Sequence, residues 1–112
     1  MRALLVVNPK ATTTTERSRD VLVRALASEV DLTVRYTRRR GHAVDLARQA
    51  ARYGVDVVVT LGGDGTVNEA VNGLMTADLP TVDPGLSRAE RLPALAVVPG
   101  GSTNVFARAL GL

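Results

Sequence analysis

Cysteine is absent from this 112-residue chain, and aromatic side chains amount to one Phe and two Tyr. Without cysteine there is no disulfide, no thiolate zinc site and no cysteine nucleophile, a composition that fits the cytoplasm. So few aromatics leave nothing to interleave with basic residues and stack on bases, which argues against nucleic acid as the partner. Long apolar runs are missing too. The N-terminal run is too short for the regions of a signal peptide, and no stretch approaches the ~20 apolar residues of a membrane span. Two phosphate-binding signatures are also lacking: no Gly-x-Gly-x-x-Gly fingerprint, and no Lys-Ser/Thr pair closing a P-loop.

What remains fits one small α/β domain, burying roughly two-thirds of the surface its unfolded chain exposes. The net charge of +3 comes from thirteen arginines and one lysine against eleven carboxylates. That surplus is compatible with nucleotide phosphates or anionic lipid surfaces and is too small to name either. Arg38-Arg39-Arg40 is the one dense basic spot. Its plainer reading is a solvated loop; its sharper reading is a contact for ATP phosphates or anionic headgroups.

Hydrophobic patterning places strands at Ala3–Asn8, Leu32–Thr37, Val55–Leu61 and Ala94–Val98. Helices are expected over about Glu16–Ser28, His42–Tyr53, Thr66–Met75 and Asn104–Leu110. In the first helix Val21, Leu22, Ala25 and Leu26 form the apolar stripe; in the second, Val44, Leu46, Ala47 and Ala50 do. Strictly alternating strands and helices predict a Rossmann-like parallel sheet with helices on both faces. Ala77 to Pro93, with three prolines and Gly85, reads as a flap or a disordered stretch. His42, the only histidine, follows Gly41 and reads as a residue that caps or decorates the second helix rather than a catalyst.

The most informative segment is Leu61-Gly62-Gly63-Asp64-Gly65-Thr66-Val67-Asn68-Glu69-Ala70-Val71-Asn72. Three consecutive valines before it predict a strand buried on both faces, so the glycines stand at a strand's exit. There a glycine can take positive φ, and its missing Cβ lets a phosphate approach backbone N–H groups. Asp64 and Thr66 stand where helix caps belong, and Val67, Ala70, Val71 and Leu74 then recur at helical spacing. A helix N-terminus aimed at a glycine turn is an anion site.

The order of residue types in this turn, an acid between glycines, then Thr, then Asn-Glu, resembles the signature of the diacylglycerol kinase catalytic family, which includes sphingosine kinases and bacterial lipid kinases. Ala3-Leu4-Leu5-Val6-Val7-Asn8-Pro9-Lys10 is similar to that family's first strand and its Asn-Pro turn. Pro99-Gly100-Gly101-Ser102-Thr103-Asn104-Val105-Phe106-Ala107-Arg108 resembles its Pro-x-Gly-Thr-x-Asn-Asp-Phe-Ala-Arg motif, with Ser102 keeping the hydroxyl and Val105 replacing the carboxylate. Thr37 at the end of the second strand, followed by Gly41-His42-Ala43, is a weaker fourth match. The first turn lacks the family's usual glycine, so any hydroxyl contacts there fall to Thr12–Thr15.

The resemblance implies the N-terminal domain of a diacylglycerol kinase-like or NAD kinase-like fold, occupying residues 1–112. It implies transfer of the ATP γ-phosphoryl group to a lipid hydroxyl, with Mg2+. The implied nucleotide contacts are Asn8, Thr37, Gly62, Gly63, Asp64, Gly65, Thr66, Val67, Asn68, Glu69 and Ser102, and Asp64 is also the implied metal ligand. Asn68 and Glu69 either reach the nucleotide or fix the loop. The acidic base and the lipid pocket belong, by the same resemblance, to a second, mainly β domain absent from this sequence. The expectation is therefore no catalytic residue in this chain, little activity alone, and a cytoplasmic location with peripheral membrane contact. Two alternatives stand beside it: a small-molecule kinase of NAD-kinase type, and a non-catalytic nucleotide-binding module that forms homodimers through an exposed sheet edge.

Overall fold

The runs Leu4-Leu5-Val6-Val7 and Val57-Val58-Val59 become the two inner strands of a four-stranded sheet. In the computed structural model, which describes residues 1–10, 16–79 and 92–99, the elements alternate along the chain. They are β1 (Arg2–Val7), α1 (Glu16–Glu29), β2 (Asp31–Tyr36), α2 (His42–Arg52), β3 (Val57–Gly62), α3 (Asp64–Thr76) and β4 (Ala94–Pro99). All pairings are parallel and the strand order is β2-β1-β3-β4. The expected helix over Asn104–Leu110 and most of the Ala77–Pro93 stretch lie outside the described residues.

Period-two alternation in the inner strands sends side chains to two separate cores. Leu4, Val6 and Val58 pack with Leu46, Ala47 and Ala50 of α2 and Ala70 and Leu74 of α3. Leu5, Val7, Val59 and Leu61 pack on the opposite face with Leu22 and Leu26 of α1 and with Val98 of β4. Helices thus cover both faces, as expected. Full burial of each such aliphatic side chain contributes about 1.5–3 kcal/mol. Thr60 sits among them, fully buried, with its hydroxyl unpartnered.

α2 and α3 meet at Gly73. A Cβ there would run into the Val44 carbonyl oxygen and approach the Ala47 Cβ. Only a glycine lets the two backbones come this close. α2 ends in a glycine-terminated turn: Gly54, at φ 71°, donates to the Ala51 carbonyl at 3.2 Å while Val55 donates to Ala50 at 3.0 Å. That turn consumes Val55, so β3 starts at Val57 rather than at Val55 as the apolar run suggested.

Two stripe assignments need correction. Val21 is 59 % exposed, because α1 meets the sheet through the i, i+4 pair Leu22 and Leu26. Val71 of α3 is likewise exposed, whereas Ala70, Gly73 and Leu74 are buried. Among the described residues no helix is long and apolar enough to cross a membrane.

Candidate functional site

The strand order makes the chain reverse direction across the sheet at β1. A crevice therefore opens at the carboxyl ends of β1 and β3, the place where open parallel sheets take ligands. Asn8 leaves β1 with its N–H donating to the Leu61 carbonyl at 3.0 Å, and Thr37 leaves β2 with its N–H donating to the Val7 carbonyl at 2.8 Å. These bonds hold the two exits level with the glycine turn.

The turn itself departs from expectation in two respects. Among the described residues positive φ occurs only at Gly41 and Gly54, so the glycines after β3 are not there for left-handed backbone. Their use is close approach: a Cβ on Gly62 would lie 2.7 Å from the Thr66 hydroxyl and 3.3 Å from the Asn8 Cβ. On Gly65 a Cβ would meet nothing within 4 Å. Neither Asp64 nor Thr66 caps the helix, either. Gly63 is the N-cap, in extended backbone and without a side-chain cap bond, and its carbonyl accepts from Thr66 at 3.1 Å and Val67 at 3.3 Å. Asp64 is the first helical residue and exposed, where its charge complements the helix dipole. No capping side chain competes for the N–H groups of Asp64 and Gly65 at the start of α3.

Thr66, 3 % exposed, accepts a hydrogen bond from the Asn8 side-chain amide at 3.4 Å. The Asn8 side-chain Oδ1 in turn accepts the Lys10 N–H at 3.1 Å. These residues border a cleft of about 280 Å3 that brings together Asn8, Thr37, Thr66 and Glu69 from the expected set. It adds Lys10, Arg38, Arg39, Arg40 and Ala43. Asp64, Gly65 and Asn68 are exposed and do not line it; Gly62 lies buried beneath, and Gly63 and Val67 are half-buried. Ser102 lies outside the described residues, as do Thr12–Thr15. Lys10 was missed by the sequence reading, although it is the chain's only lysine and stands two residues past the Asn8 turn.

The loop carrying the arginines is braced. The Arg38 N–H donates to the His42 Nδ1 at 3.0 Å, and the His42 N–H donates to the Arg39 carbonyl at 3.2 Å. Gly41, at φ 84°, is the N-cap of α2 and supplies the left-handed turn the loop needs. His42 thus sits at the helix entry and braces the loop without capping the helix, whose N-cap is Gly41 with no side-chain cap bond. The Arg39 guanidinium donates to Asp45 Oδ2 at 2.7 Å. That hydrogen bond holds the Asp45 carboxyl below the usual aspartate range; partial desolvation opposes the shift, and the charges of Arg39, Arg48 and His42 reinforce it. No group of three or more His, Asp or Glu side chains is placed to hold a metal ion among the described residues.

Comparison with known proteins agrees with this architecture. The model of the diacylglycerol kinase catalytic domain matches residues 2–112. A probable lipid kinase, YegS-like, from Chromohalobacter salexigens is 40 % identical over 108 residues, which are 96 % of this chain and 31 % of that protein. A diacylglycerol kinase from Bacillus subtilis is 43 % identical over 72 residues, covering 64 % of this chain and 20 % of that one. Among solved structures, a diacylglycerol kinase from Bacillus anthracis superposes with a TM-score of 0.70 at 35 % identity, over 98 % of this chain and 36 % of that chain. The chain thus spans a third or less of the length of these curated relatives. By its sequence and its fold, this chain belongs to the diacylglycerol kinase catalytic domain family.

Proposed function

We propose that this chain is the ATP-binding domain of a lipid kinase, a single nucleotide-binding unit within a larger catalytic module. The observation that carries the reading is the convergence of Asn8, Thr37 and Thr66, each from a different strand exit, on one cleft beside the N-terminus of α3. Phosphoryl transfer consists mostly of positioning and charge stabilisation, and this cleft supplies hydroxyl, amide and cationic groups for both. Asn8 holds Thr66, Gly62 admits the Thr66 side chain beside β1, and Gly65 leaves open space over the first turn of α3.

Mg2+ usually keeps several waters and takes one or two carboxylates plus phosphate oxygens, a donor set that Asp64 or Glu69 can supply. Bound there, it neutralises charge on the phosphates. The acceptor in this reading is a lipid hydroxyl such as that of diacylglycerol. The chain spans a third or less of its curated relatives, and on this reading it binds nucleotide without appreciable turnover by itself. Isothermal titration with ATP and Mg2+, beside a radiolabel assay on diacylglycerol micelles, tests both parts. Saturable binding without lipid phosphorylation is expected; absence of binding contradicts the first part, and ordinary turnover the second.

A further inference from the structure

Three consecutive arginines line the cleft, and their surroundings divide them. Arg39 is committed to Asp45, whose second oxygen lies 3.7 Å from Arg48. Arg48 in turn donates to the Thr76 hydroxyl at 3.0 Å, and that hydroxyl donates to the Asn72 carbonyl at 2.8 Å. Arg39 is thereby anchored, through α2, to the last turn of α3. Among the described residues, Lys10, Arg38 and Arg40 form no ion pair with a carboxylate. The cleft therefore presents three cations that, among the described residues, are in no ion pair, and Thr66 and Glu69 of α3 line the same cleft.

We infer that Lys10, Arg38 and Arg40 form the wall that takes the phosphate chain of the nucleotide and select a triphosphate over a monophosphate, whereas Arg39, already paired with Asp45, is not part of that wall. The inference rests on the nucleotide reading above and adds to it which cations touch the ligand. Uncompensated cations gain by meeting an anion, whereas a cation already bonded to a carboxylate must first give up that bond. The hydrogen bond from the Arg38 N–H to His42 holds the loop before a ligand arrives, which lowers the ordering cost of binding.

The test is calorimetric titration of the full chain with ATP, AMP and inorganic tripolyphosphate, with Mg2+ present throughout. Lys10→Ala, Arg38→Ala and Arg40→Ala are each expected to lower ATP and tripolyphosphate affinity about tenfold and leave AMP nearly unchanged. In the same variants the ATP affinity should fall less steeply with added salt. Arg39→Ala and Asp45→Asn are expected to keep the ATP-to-AMP ratio within about threefold of the parent. All five side chains are surface groups, and thermal melts establish that each variant is folded. Equal losses for ATP and AMP in the Lys10, Arg38 and Arg40 variants, or a ratio collapsed by Arg39→Ala, overturn the inference. Tripolyphosphate binding without any nucleotide binding overturns the nucleotide reading and leaves the wall standing. ATP and AMP binding equally to the parent overturns the wall and leaves the nucleotide site standing.

Discussion

The side-chain amide of Asn8 reaches the hydroxyl of Thr66 at 3.4 Å, joining the exit of β1 to the first turn of α3 across 58 residues of sequence. Gly62 makes the contact possible, since any Cβ there would press on both partners. Asn8 acts in this structure as a strut, its amide and its carbonyl both engaged by the protein. Asn8→Ala should cost about 1 kcal/mol in urea unfolding, as should Thr66→Val, with the double variant costing less than the sum. Strict additivity would show that the two groups do not support one another.

Three glycines differ in what surrounds them, and two kinds of outcome are expected on substitution by alanine. Gly73→Ala forces a methyl into the Val44 carbonyl and Gly62→Ala one into Thr66, each costing about 1–3 kcal/mol. Gly65→Ala enters open space inside a helix and should stabilise by up to about 1 kcal/mol. Chemical denaturation of the three variants side by side reads the order directly.

Thr60 lies fully buried in the middle of β3 with an unpartnered hydroxyl. Thr60→Val removes a desolvated polar group at little change in shape, so a gain of about 1 kcal/mol is expected in the same assay. A loss of similar size would reveal a partner for the hydroxyl.

Asp45 carries a pH dependence. Its folded carboxyl titrates below the unfolded one because Arg39 hydrogen-bonds to the charged form. The group therefore adds stability at pH values above the unfolded aspartate value, and that contribution is lost as the pH falls through the folded value. Carbon-detected NMR titration should place the Asp45 midpoint below the usual aspartate range, and Arg39→Ala should return it upward. An unmoved midpoint in the variant would mean that Arg39 is not the cause.

Much of this was legible in the sequence because apolar runs and strand-exit motifs are local signals. The valine run gave β3 its place, and Gly62 to Glu69 marked the sheet edge that carries the cleft. Other features depend on distant partners. Val21 looks like core in a helical wheel, yet only the contact of α1 with the sheet decides that Leu22 and Leu26 are buried instead. Gly62 suggested positive φ, whereas its actual constraint is Thr66, four residues on but on the opposite side of the turn. The division of labour among Arg38, Arg39 and Arg40 depends on Asp45, which no pattern in the arginines announces.

The central claim, that a nucleotide binds over the glycine turn at the start of α3, is tested most directly by ATP titration of the parent chain beside Gly65→Val. The open space around Gly65 admits a Cβ without a clash, a thermal melt establishes that the valine variant is folded, and the added side chain stands on the first turn of α3 that a bound nucleotide would cover in this account. The account predicts saturable, Mg2+-dependent ATP binding by the parent and its loss in a folded Gly65→Val chain. Undiminished binding by that variant would place the nucleotide elsewhere and contradict the account.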